Sequence, residues 1–208
     1  MIPETVGRST HGPTLTLSAD HLKMLIRESG IAAPIVAGRG YWTAYRRDQV
    51  PDVFPLWQRR RGLVIPTYSP AGDTSYQLRP NTPRNPKRKY EQPHGVGCIL
   101  DVHPSMMHTA TVPDVPLWIT EGVKKGDALT SRGCCTVSIV GVWNWQRNAE
   151  PLPCWDHVAL DGRECYVVFD SDVMVKPEVQ LALDRLASFL RGRGAGVQVV
   201  YLPEVANG

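Results

Sequence analysis

Long apolar runs are missing from this sequence. Nowhere in its 208 residues does one approach the roughly 18 needed to span a bilayer, which excludes a transmembrane helix. Met1 to Leu17 lacks a basic start followed by an apolar run, so no signal peptide is expected. Cysteine is scarce and odd in number, five in all, with no Cys-x-x-Cys pair. A disulfide scaffold and a structural zinc site therefore lack support. The six histidines are scattered: His94, His103 and His108 share a region but not a ligand spacing, and no Ser/His/Asp triad is evident. With 42% hydrophobic and 21% charged residues, the chain has the composition of a folded, water-soluble domain. The expected setting is a reducing cytoplasm.

What the sequence does have is an uneven charge. The formal net charge is only +3, but Gly38 to His94 carries eleven Lys or Arg against four acids, whereas Gly95 onward holds nine basic and thirteen acidic residues. A basic segment beside an acidic one suits a phosphate-rich polymer lying next to carboxylate-bound metal. Arg59-Arg60-Arg61 and Lys87-Arg88-Lys89 read equally well as solvated loop charges.

Local signals order the chain into elements. Residues 1–16 read as a loose leader. Ser18 is a predicted N-cap, with Leu22, Leu25 and Ile26 at helical spacing and Gly30 at the end; Ala33 to Gly40 is a second short turn of helix. Gly62–Pro66 and Thr74–Arg79 flank a Pro70–Asp73 turn and predict a hairpin, and Asn81–Lys89 reads as an exposed loop. Beyond Pro116 the order becomes strand (Leu117–Thr120), helix (Lys124–Arg132), strand (Cys134–Val140), strand (Cys165–Phe169), helix (Lys176–Arg191, with Pro177 in its first turn) and strand (Val197–Leu202). That alternation implies an α/β fold with a mostly parallel sheet flanked by helices. Trp143, Trp145 and Trp155, in the loop between the second and third of these strands and beside Arg147, read first as caps on the sheet edge, with stacking on nucleobases as the alternative.

Ligands gather at the carboxyl ends of parallel strands. Glu121 follows the first of these strands and Asp170-Ser171-Asp172 follows the third. Two aspartates one residue apart, joined by a glutamate from a neighbouring strand, offer the hard oxygen ligands that Mg²⁺ prefers. Leu117-Trp-Ile-Thr-Glu-Gly122 with Val167-Val-Phe-Asp-Ser-Asp172 resembles the Toprim domain of bacterial-type primases, topoisomerases and some nucleases. Gly62–Pro66, Gly72, Tyr76–Arg79, Arg88-Lys-Tyr90 and Pro93, with Arg39-Gly-Tyr41, resemble the basic subdomain that precedes Toprim in bacterial primases. The similarity runs from about Leu17 to Pro203. It is nearest to the Toprim proteins of phages, plasmids and other mobile elements, most of them described only as a domain of unknown function.

The resemblance implies a basic primase-like subdomain over 17–112 (α+β in character) and a Toprim domain over 113–208, C-terminally short of its relatives. It implies Glu121 as general acid/base or metal assistant and Asp170 and Asp172 as ligands of Mg²⁺ or Mn²⁺. Arg79, Lys89 and Tyr90 become contacts to template or nucleotide phosphates, while Lys124 and Lys125 read either as phosphate contacts or as solvated helix charges. Where bacterial primases carry an aspartate four residues beyond the glutamate, this chain has Lys125; Asp127 reads as its substitute or, with slightly more weight, as a helix-face residue. No zinc-binding module is present in the sequence. The implied activity is nucleotidyl transfer on single-stranded DNA or RNA from free nucleotides, beside a helicase or other replication protein and away from membranes. A Toprim nuclease and a non-catalytic nucleic-acid-binding or docking module are the alternatives.

Overall fold

The computed structural model describes residues 16–86, 88–169 and 177–201. Helix α1 (Ala19–Lys23) starts where expected, because the Ser18 hydroxyl accepts a hydrogen bond from the His21 N–H at 3.2 Å. It runs on as one π-turn through Glu28, and α2 (Ala33–Arg39) follows, closed by Gly40 in a left-handed conformation. Strands β1 (Trp42–Ala44), β2 (Gly62–Tyr68) and β3 (Thr74–Pro80) form an antiparallel sheet in that order. The β2–β3 hairpin turns at the predicted residues, with the Ser69 N–H donating to the Asp73 carbonyl.

The second sheet has five strands. After β4 (Asp101–Val102) and the short helix α3 (Met107–Ala110) come β5 (Leu117–Glu121), α4 (Val123–Thr130) and β6 (Cys135–Ile139). A two-stranded hairpin, β7 (Gln146–Arg147) and β8 (Glu150–Pro151), precedes β9 (Glu164–Val168), α5 (Pro177–Gly192) and β10 (Gly196–Val200). The spatial order is β10-β9-β5-β6-β4. Four strands are parallel, and β4 runs antiparallel along the β6 edge. The architecture is thus mixed α/β, with a mixed sheet flanked by helices. Strand β4, which precedes residue 113, belongs by pairing to the same sheet as β5 and β6. No helix among the described residues is long and apolar enough to cross a membrane.

Period-2 burial explains the layers. Leu117, Ile119, Val137, Ile139, Cys165 and Val167 point to one face, where they pack with Leu183, Leu186 and Leu190 of α5. Trp145 and Trp155 are buried in that same cluster against Phe189, with ring centroids 5.3 and 5.4 Å away, so they belong to the core itself. The opposite face of β6 presents the small side chains Thr136 and Ser138 to α4. Gly126 makes that approach possible: a Cβ there would lie 2.0 Å from the Ser138 hydroxyl oxygen. Gly126→Ala is therefore expected to lower stability by about 1–3 kcal/mol, read as a denaturation midpoint, and adding Ser138→Ala should recover part of the loss. A second core of Leu25, Ile31, Val36, Tyr41, Leu63, Ile65 and Val123 joins the N-terminal helices and hairpin to α4.

Candidate functional site

The chain leaves β5 toward β6 on one side and leaves β9 toward β10 on the other. The topological switch point of the sheet therefore lies between β5 and β9, where Thr120 pairs with Val168. Glu121 is the last residue of β5 and stands at that point, half-buried. Gly122 follows with φ 88°, a conformation that lets the chain turn sharply from strand into α4. Asp170 and Asp172 come next in sequence after β9 but lie outside the described residues. Among the described residues, no group of three or more His, Cys, Asp or Glu side chains is arranged to hold a metal.

A cleft of about 280 Å³ opens beside Glu121, lined by Ile65, Gln77, Tyr90, Gly122, Lys124 and Lys125. Lys124 is half-buried and donates to the Ser29 hydroxyl at 3.1 Å, so it is no solvated helix charge; Lys125 is exposed at the rim. Burial lowers the Lys124 pKa, helped by the charges of Arg79, Lys89 and Lys125 and opposed by Glu28. Three cations, two of them from distant parts of the chain, therefore act on Lys124 here. Such a cluster is unfavourable until an anion neutralises it.

Arg79 and Lys89 line a second depression of about 590 Å³ with His21, Met24, Tyr45 and Asn81, and with Asp20 and Glu28. The Arg79 guanidinium lies over the Tyr90 ring, 5.7 Å from its centroid, and touches the Met24 sulfur. Burial raises the Tyr90 pKa and Arg79 opposes that rise, so the hydroxyl stays neutral at physiological pH. Tyr90 of the first cleft and Arg79 of the second thus meet where the two depressions adjoin. His21 bonds to the Thr43 hydroxyl at 2.8 Å, and burial together with Arg79 holds its pKa below the ordinary value. The nucleic-acid reading of the sequence predicts that Lys89→Ala and Arg79→Ala each weaken oligonucleotide binding across sequences. Each should also flatten the dependence of log affinity on log salt by about one unit per lost phosphate contact, measured by anisotropy titration.

Asp127 corrects the sequence expectation. It is fully buried, neither a helix-face charge nor a ligand at the cleft. Its carboxylate accepts from the Arg39 Nε–H at 3.0 Å and from the Tyr41 hydroxyl at 2.7 Å. The same guanidinium donates to Asp101 at 2.5 Å, and Asp101 also accepts from the Tyr68 N–H at 2.9 Å. Burial opposes the Arg39 charge, but the two carboxylates outweigh it and hold its pKa above the ordinary value. Desolvation and Asp127 push the Tyr41 pKa well up. This network anchors α2 to α4, whose first turn carries Lys124, and sequence reasoning assigned it no role. In the sequence Arg39-Gly-Tyr41 and Asp127 stand far apart, and no local pattern pairs them.

With the geometry in hand, comparison with known proteins adds the following. Residues 108–208 match the family model described as a domain of unknown function (DUF3854). Glu121, Lys124, Lys125, Asp170 and Asp172 fall inside that span, while Arg79, Lys89 and Tyr90 fall outside it. An uncharacterized protein of Picosynechococcus sp. is 31% identical over 110 residues, which cover 46% of this chain and 11% of that protein. The chain thus spans about a tenth of the length of the curated relative it matches.

Proposed function

We propose that this chain is a Toprim-type, primase-like protein that binds single-stranded nucleic acid along the Tyr90–Arg79–Lys89 groove and transfers nucleotides at Glu121. The setting is replication of a phage, plasmid or other mobile element, beside a helicase or another replication protein. One observation carries the reading: Glu121, at the switch point of the sheet, shares a cleft with Lys124, Lys125 and Tyr90, and the Arg79/Lys89 depression adjoins it.

Phosphoryl transfer asks a protein mainly for positioning and for charge that neutralises developing negative oxygens. Lys124, held by Ser29, and Arg79, held over Tyr90, are cations with fixed positions. The Glu121 carboxylate, at a rigid strand end, is placed to take the proton of an attacking hydroxyl. One carboxylate with substrate phosphates and water suits a hard divalent cation, and Asp170 and Asp172 follow the neighbouring strand in sequence. Mg²⁺ or Mn²⁺ held by Glu121, Asp170 and Asp172 would supply charge neutralisation at the phosphates.

The test incubates the full chain with single-stranded DNA, nucleotides and Mg²⁺ or Mn²⁺, beside Asp170→Ala. New short products that disappear in the variant support the proposal. Shortened template that disappears in the variant makes the protein a nuclease, and strand binding without products in either makes it a binding module.

A further inference from the structure

A second basic surface lies away from the Glu121 cleft. Arg46, Arg47, Arg59, Arg60 and Arg61 line a shallow groove of about 420 Å³ with Tyr45. Two of these arginines are neutralised: Arg46 by Asp48 at 3.0 Å and Arg59 by Asp52 at 2.7 Å. Arg47, Arg60 and Arg61 pair with no acid among the described residues. The frame beneath them is hydrogen-bonded. Gln49 Oε1 accepts from the Tyr45 and Arg46 N–H groups, Arg59 donates to the Phe54 and Asp52 carbonyls, and the Asn81 N–H donates to the Arg61 carbonyl. Like charges are therefore held together on an ordered support, an arrangement that favours a polyanion.

An exposed ring accompanies the charge. Tyr45, in the lining of this groove, is 49% exposed. Guanidinium groups recognise phosphate bidentately and an exposed aromatic face stacks on a base; a single strand offers both partners, whereas a headgroup layer offers the phosphate without the base. The surface is also continuous with the groove described above, because Tyr45 lines both the arginine groove and the Arg79/Lys89 depression. We propose that Arg47, Arg60 and Arg61, with Tyr45, form a second contact surface for single-stranded nucleic acid, guiding a strand that continues past Arg79 and Lys89 toward Glu121. The direction of the strand's path rests on the proposed function; the surface itself rests on the arginine groove.

The experiment titrates the full chain with labelled oligothymidylate and oligouridylate of about 6 and about 24 nucleotides. Anionic phospholipid vesicles form a separate arm. Wild type should bind the long strand more tightly than the short one. Arg60→Ala/Arg61→Ala should lose most of that gain, weakening long-strand binding about 10- to 100-fold at low salt and reducing the salt slope by about two. Arg60→Lys/Arg61→Lys, which keeps the charge but loses the bidentate fork, should retain the salt slope and only part of the affinity, and circular dichroism checks that both variants are folded. Oligothymidylate and oligouridylate together identify whether the strand is DNA or RNA. Unchanged long-strand binding in the alanine variant overturns the second surface alone. Equal losses for short and long strands, or tight vesicle binding that the same variant abolishes, also overturn it. Failure of wild type to bind either oligonucleotide overturns both this surface and the proposed function.

Discussion

Arg39→Ala is expected to destabilise the protein by about 3–5 kcal/mol, a large part of the stability of a domain this size. The reason is asymmetry. The guanidinium is 1% exposed and makes three hydrogen bonds to two carboxylates that are themselves fully buried. Removing it leaves two buried anions facing each other, and Tyr41 with them. Arg39→Lys should recover only part of the loss, because an ammonium cannot present a planar fork to Asp101 and Asp127 together. Asp101→Asn should cost far less, about 1 kcal/mol, since Arg39 keeps Asp127. Asp101 also sets a pH dependence. Burial raises its pKa, with Arg39 opposing, so the folded state binds this proton more tightly than the unfolded state. Its contribution to stability therefore grows as pH falls through the raised pKa and shrinks as pH rises, and Asp101→Asn should remove that slope. Thermal melts of the two proteins across mildly acidic to neutral pH check the sign. Because Asp127 lies on α4, Arg39→Ala should also disturb Lys124 and weaken strand binding beyond what the charge change explains.

Glu121→Gln is expected to separate chemistry from binding. The amide keeps the size of the side chain but loses its charge and its capacity to take a proton. Nucleotide transfer should fall by about two to four orders of magnitude. Binding should hold or tighten, because the cleft with Lys124 and Lys125 becomes more positive toward phosphate. Opposite movements of activity and affinity are the signature: a residue that merely supported the fold would lower both.

The sequence reveals the site's frame more readily than its supports. Ser18 marks the start of α1 through its capping hydroxyl, and Pro177 stands in the first turn of α5, as local rules predict. Glu121-Gly122 is legible because a strand end, a glycine and a helix start are adjacent in sequence. The short strands Trp42–Ala44 and Asp101–Val102 carry too few residues for a period to show, so the antiparallel edge of the sheet was not anticipated. Asp127 follows Lys124, Lys125 and Gly126 and reads as a surface residue; its burial comes from an arginine 88 positions away. The convergence of Arg79 and Tyr90 with Lys124 is equally non-local, because it depends on the hairpin packing against α4 through Ile65 and Val123. For the same reason the sequence alone reads Lys124 equally as a phosphate contact and as a solvated charge. No local pattern shows that Ser29 waits beside it.

The most direct test of the account is incorporation of labelled nucleotide on single-stranded DNA by wild type and Glu121→Gln at equal strand occupancy, with divalent metal and with chelator. The account predicts short new products from wild type that require metal and are all but absent from Glu121→Gln, although both proteins hold the strand. Incorporation at equal rates in both proteins, or none by wild type while it holds the strand, would contradict it.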